Sequence, residues 1–178
     1  SLLTADPENK SFLGSMAFTT KRLASLESEL GNHNLAEEAA LKAIDLYATV
    51  SRLDPTDTDA RMKLGAGWDQ LCQVRTIAGE LNSAAQAVQR GANIFEALAV
   101  DNPTASKYPF LAMEAYDRLY QLQIRLGQHR AALHSVKQTI RLIERCQKAS
   151  DVQPENLEQY KADTKKSADG IERFLDGD

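Results

Sequence analysis

Apolar residues recur three or four positions apart through most of the chain, the spacing of a helix with one buried face. In the middle of the sequence Met62, Leu64, Trp68, Leu71, Cys72, Val74 and Ile77 trace one such stripe. Gly79 ends it, because glycine just past a helix takes the left-handed conformation cheaply. A second stripe follows through Ala84, Ala87, Val88, Gly91, Ile94, Phe95 and Leu98. Leu53-Asp54-Pro55-Thr56-Asp57 precedes the first stripe and Asn102-Pro103 follows the second. Proline cannot continue a helix but tolerates its first turn, so both phrases mark junctions. Thr56 or Thr58 is the expected cap of the first helix, and Asn82 or Ser83 that of the second.

This pair of stripes is one copy of three. Glycine stands at 31, 79 and 127, an interval of 48 residues, and the interval holds for Pro7, Pro55 and Pro103. It also holds for Leu23, Leu71 and Leu119, and for Ala36, Ala84 and Ala132. A fixed period of this length means stacked copies of one helical unit. Copy one carries Met16, Leu23 and Leu26, then Leu35, Ala36, Ala39, Ala40, Ala43, Ile44, Tyr47 and Val50. Copy three carries Phe110, Tyr116, Leu119, Leu122 and Leu126, then Ala131, Ala132, Val136, Ile140 and Ile143. After it Pro154 arrives late, and Leu157, Tyr160, Ala168, Ile171 and Phe174 read as one more helix. Its other faces are charged, as a cap over the last apolar surface of a solenoid must be.

No strand pattern of any length is present. The expectation is therefore all-α: an α-solenoid of three antiparallel helix pairs plus a C-terminal capping helix. The repeats span about 7–54, 55–102 and 103–150, with the cap at about 155–175, in a single domain over 1–178. Small residues in the second helices, Ala43 and Gly91 among them, allow the helices of a pair to approach closely.

The pattern is similar to the tetratricopeptide repeat over roughly residues 9 to 148. Trp68, Leu71, Cys72, Gly79, Ala84, Gly91 and Pro103 fit that motif in order; Tyr116, Leu119, Gly127, Ala132 and Thr139 fit less fully. Leu23, Ala24, Gly31, Ala36, Ala43 and Pro55 fit without the aromatic, Thr20 standing in its place. The usual unit has 34 residues, so this one lengthens both helices. The resemblance implies a scaffold that binds a protein or peptide segment, with the first helix of each pair lining a concave surface. Carried over slot by slot, that surface takes Lys21, Arg22 and Ser25 from copy one. It takes Asp69, Gln70, Gln73 and Thr76 from copy two, and Asp117, Arg118, Gln121 and Arg125 from copy three. The long unit and its "Leu-Asp-Pro-Thr" and "Asp-Asn-Pro-Thr" junctions also resemble repeats appended to bacterial Ser/Thr protein kinases. That implies the sensor or docking module of a larger signalling protein.

Charge and chemistry narrow the partners. The 178 residues carry a formal net charge of −4, against nucleic acid, which calls for a basic excess on one face. No apolar run approaches the ~18 residues of a membrane span, and no signal peptide is evident. The compartment is left open between the cytoplasm and the extracytoplasmic part of an anchored protein. The Ser-Leu-Leu start reads as a piece excised from a longer protein. Cys72 and Cys146 lie in unlike contexts without a CxxC, and read as small buried apolar residues. His33 and His129 occupy equivalent turn slots, and His134 lies five residues past His129, not the four of a helical metal pair. No phosphate loop, HRD or DFG occurs, so the chain is expected to be non-catalytic, with no cofactor or metal. Phe12, Leu13 and Met16 have no preceding repeat to cover them, which makes self-association through that end the rival expectation.

Overall fold

A computed structural model describes residues 9–149 and 157–177. Pro7 and Pro154, to which junction roles were assigned above, lie outside the described residues. Among the described residues there are seven helices and no strand: α1 Lys10–Glu29, α2 His33–Leu53, α3 Thr58–Ile77, α4 Leu81–Asp101, α5 Lys107–Arg125, α6 His129–Ala149 and α7 Leu157–Asp176. The chain divides into two compact units, Ser1–Glu80 and Leu81–Asp178.

The 48-residue glycines build one turn three times. Gly31, Gly79 and Gly127 have φ of 77°, 81° and 69°, the left-handed region that favours glycine. At each, two backbone bonds close the preceding helix. Asn32 N–H donates to Glu27 O at 2.8 Å, as do Glu80 to Arg75 O and Gln128 to Gln123 O at the same distance. The glycine N–H donates three residues back, to Ser28 O, Thr76 O and Ile124 O. This is the Schellman closure. It leads straight into the next helix, so α2 has no side-chain cap, and Asn82 and Ser83 are helical residues rather than caps. The expected threonine cap of α3 is also corrected. Asp57 holds that position, its carboxylate accepting from Ala60 N at 2.9 Å, and a carboxylate there also meets the positive end of the helix.

In the first unit α2 packs against both α1 and α3, and α1 touches α3. Leu13, Ala17, Leu46, Tyr47, Val50 and Ala60 form a common core. Gly67 brings α3 close to α2: a Cβ added there would lie 3.1 Å from Ile44 Cγ1. Lys10 ties the junction down, its ammonium 2.7 Å from Asp54 and 2.9 Å from Asp57. In the second unit α5 packs on α4, α6 on α5 and α7 on α6. Ala168 and Ile171 of α7 close over Ala132 and Val136 of α6. Inside the α5–α6 contact the buried Ser135 hydroxyl donates to Gln123 Oε1 at 2.8 Å.

The stripes of the first repeat are not all buried. Leu13 is core, but Leu23, Leu26 and Leu30 of α1 are 47%, 53% and 73% exposed, and Leu35 of α2 is exposed too. The reason is positional. Leu71 and Val74, one repeat on, are 0% and 2% exposed, and Gly67 on the same stripe of α3 lies against Ile44 and Tyr47 of α2. Nothing among the described residues plays the part of α2 for α1. Phe174 of the final helix is also exposed, although its ring lies 4.3 Å from that of His129.

Candidate functional site

Each unit presents a cavity lined chiefly by side chains from the first helix of a repeat. In the second unit a cavity of about 510 Å³ is lined by Phe110, Met113, Glu114, Asp117, Arg118, Gln121 and Tyr160. α5 supplies all but the last, and each has another three or four residues away, which places them along one side of a helix. The capping helix contributes Tyr160. In the first unit a cavity of about 270 Å³ is lined by Ser25, Ser28 and Glu29 of α1 and by Gln70, Gln73, Val74 and Ile77 of α3. A larger one, about 660 Å³, lies toward the other end of the same helices, where Lys10, Phe18, Asp57, Asp59 and Lys63 surround Gly14 and Tyr47.

The polar groups are held by repeated local geometry. Gln73 Nε2 donates to Asp69 Oδ2 at 3.0 Å, and Gln121 Nε2 donates to Asp117 Oδ2 at 2.8 Å. These are the same two slots, one repeat apart, and their four-residue spacing puts them one turn apart on a helix. Gln70, 7% exposed, is locked by its amide nitrogen, which donates to Lys21 O at 2.8 Å and Ser25 Oγ at 2.7 Å. Its Oε1 accepts no hydrogen bond among the described residues, nor does Ser28 Oγ find a partner there. A buried amide oxygen without a donor is costly, and here it lies beneath the cavity lining beside Ser28.

Burial sets the electrostatics of the second cavity. It pushes the Asp117 carboxyl above its ordinary value, against the opposing hydrogen bond from Gln121. It also lowers the Arg118 guanidinium. The Tyr160 phenol is pushed up to about 12, first by burial and then by the charges of Asp117 and Glu114. The site is thus a half-buried acidic pocket with aromatic walls from Phe110 and Tyr160 and one arginine at its side.

Of the eleven groove residues expected from sequence, Ser25, Gln70 and Gln73 line the smaller first-unit cavity, and Asp117, Arg118 and Gln121 line the second-unit one. Asp69 acts on Gln73. Lys21 contributes a backbone carbonyl, and burial lowers the pKa of its ammonium. Thr76 donates its hydroxyl to Cys72 O at 2.7 Å. Arg22 and Arg125 are exposed and line none of these cavities. Sequence reasoning missed Tyr160, which it assigned to the apolar stripe of the cap. It also missed Phe18 and the charged group of Lys10, Asp57, Asp59 and Lys63. Phe18 carried a legible signal, an aromatic off the apolar stripe of α1; the charged group carried none, since α3 brings its members to α1 only in the folded unit.

No protein-family model and no curated protein sequence matches the chain. Among solved structures it is similar to the de novo designed helical repeat protein DHR64, at 15% identity over 94% of this chain and 82% of that one, with a TM-score of 0.54. It is similar to the DHF58 filament at 13% identity, over 94% and 84% of the two chains, with a TM-score of 0.50. The MamA protein aligns at 16% identity over 93% and 97%, with a TM-score of 0.31. At these identities the likeness concerns the fold alone, and with the seven helices above it establishes the chain as an all-α helical-repeat protein.

Proposed function

We propose that this chain is a tetratricopeptide-type scaffold, three repeats and a cap, that binds an extended peptide or protein segment along the first helices of its repeats. The observation that carries this reading is the fixed amide-rich lining: Gln70, Gln73 and Gln121 each stand in a cavity with at least one amide group already anchored. A side-chain amide offers both a donor and an acceptor. An extended peptide backbone offers the complement at every residue, and such segments gain affinity from many modest contacts on a preformed surface. The acidic, aromatic-walled cavity at Asp117 suits a basic side chain, its stem against Phe110 and its cation at the carboxylates. The junction phrases shared with kinase-linked bacterial repeats support placing this scaffold as the docking module of a signalling protein.

The experiment is an array of random-sequence peptides probed with the purified chain. Gln70→Ala with Gln73→Ala, and Asp117→Ala with Gln121→Ala, are each expected to weaken selected peptides at least about tenfold, by roughly 1.4 kcal/mol. Arg118→Glu, which replaces a like charge beside the bound cation with a carboxylate, strengthens peptides that place a basic residue there, whereas Arg125→Glu, outside the cavity, leaves them unchanged. Selected peptides that bind both double variants at full strength would refute the reading.

A further inference from the structure

The exposed leucines of α1 belong to a longer pattern. Phe12, Met16, Thr19, Leu23, Leu26 and Leu30 follow one another at intervals of four and three, the spacing of a seam along which one helix packs on another. The equivalent seam on α3 runs through Ala60, Leu64, Gly67, Leu71 and Val74, and α2 covers it. On α1 Phe12 and Met16 are part-buried, Met16 against the unit's own core, and the seam is open toward the C-terminal end of the helix, from Leu23 to Leu30. A helix that is apolar on a second side, away from its own core, is built to be covered.

We propose that the cover is a second copy of this chain, and that the two α1 helices pack antiparallel across a two-fold axis. The charges beside the seam argue for this occupant. Arg22 and Glu29 flank the leucines on one side, seven residues apart, both exposed. In the register that sets Leu23 opposite Leu26 of the second copy, and Thr19 opposite Leu30, Arg22 of each copy faces Glu29 of the other. Two-fold symmetry makes that pair twice. The antiparallel register one heptad away sets Thr19 against Leu23 and brings Arg22 against Arg22, a like-charge contact that disfavours it. A parallel pairing would call on Glu27, whose carboxylate already accepts from Asn32 Nδ2 at 2.8 Å. Leu35, exposed just past the turn, extends the apolar surface toward the N-terminal half of the other α1. The leucines of the seam line none of the peptide cavities, but Glu29 also lines the smaller first-unit cavity, so Leu26→Glu is the variant that separates the dimer from peptide binding. A seam of one helix is smaller than the roughly 800 Å² per partner of a standard interface, so the association is of a weak, reversible kind.

Sedimentation equilibrium of the whole chain tests this. The expected result is a concentration-dependent monomer–dimer equilibrium in roughly the micromolar range. Leu26→Glu weakens it at least about tenfold, with the helical circular dichroism unchanged because Leu26 is outside the core. Arg22→Glu alone and Glu29→Arg alone each weaken it about three- to tenfold, since the repulsion enters twice. The double exchange restores it to within about twofold. A strict monomer at the highest soluble concentration would overturn the proposal, showing that something other than a second copy covers the seam. So would a dimer indifferent to Leu26→Glu, or single charge reversals that the double exchange does not rescue.

Discussion

The three repeat glycines and two helix glycines should respond to the same substitution with opposite signs. A Cβ placed on Gly31, Gly79 or Gly127 meets nothing within 4 Å, and the same holds for Gly14 in α1 and Gly170 in α7. Sterics with neighbours therefore drop out, and only the backbone differs. At the turns φ lies between 69° and 81°, where an L side chain costs about 1–2 kcal/mol. Part of that is offset because alanine also narrows the unfolded ensemble. The expected net loss is about 1 kcal/mol at each turn. At Gly14 and Gly170 the backbone is helical, and alanine stabilises by about 0.5–1 kcal/mol. The assay is urea unfolding followed by far-UV circular dichroism on the five single variants. The three turns share one hydrogen-bond pattern, so their losses should agree to within about 0.5 kcal/mol and add in combination. A neutral or stabilising Gly79→Ala would refute the left-handed turn. A spread well beyond about 1 kcal/mol among the three would refute the equivalence of the repeats.

Two further predictions address the junction and the core. Lys10 and Thr56 hold the Asp54 carboxyl down to about 2, below the roughly 3.9 of an unfolded chain. A depressed acid contributes stability above its unfolded value and loses it as the pH falls through the folded one. The melting-temperature advantage of wild type over Lys10→Met should therefore be constant near neutrality and shrink as the pH drops from about 4 toward about 2; an unchanging gap would contradict the pairing. Ser135→Ala removes the buried donor to Gln123 and should cost about 1–3 kcal/mol in urea unfolding. Adding Gln123→Leu should recover much of that loss by removing the stranded acceptor, and a double variant no better than the single one would contradict the bond's role.

What could be read in the sequence was whatever the 48-residue period repeats. The glycine turns, the helix pairs and the Asp69–Gln73 and Asp117–Gln121 slots all recur, and each adopts in one copy what it adopts in the next. The period was silent where a copy has an unusual neighbour. Leu23 occupies the slot of Leu71, yet one is half exposed and the other wholly buried, because burial belongs to what stands beside a helix and not to the helix. Tyr160 was misplaced for a similar reason. The cap repeats no other element, so no equivalent residue indicated that its ring lines a cavity beside Asp117 as well as closing the stack. Caps were misjudged between Thr56, Asp57 and Thr58 because all three can accept from a helix start. Only the local backbone chooses among them.

The central proposal is that polar positions of α1 and α3 in the first unit, and of α5 in the second, each contact the bound peptide. Amide chemical-shift mapping of the chain, titrated with a peptide selected from the array, tests it most directly. The account predicts shifts concentrated at Ser25, Gln70, Gln73, Asp117, Arg118 and Gln121, with α2 and the outer face of α6 quiet. Shifts confined to α2 and α6, with those six amides unmoved at saturation, would contradict it.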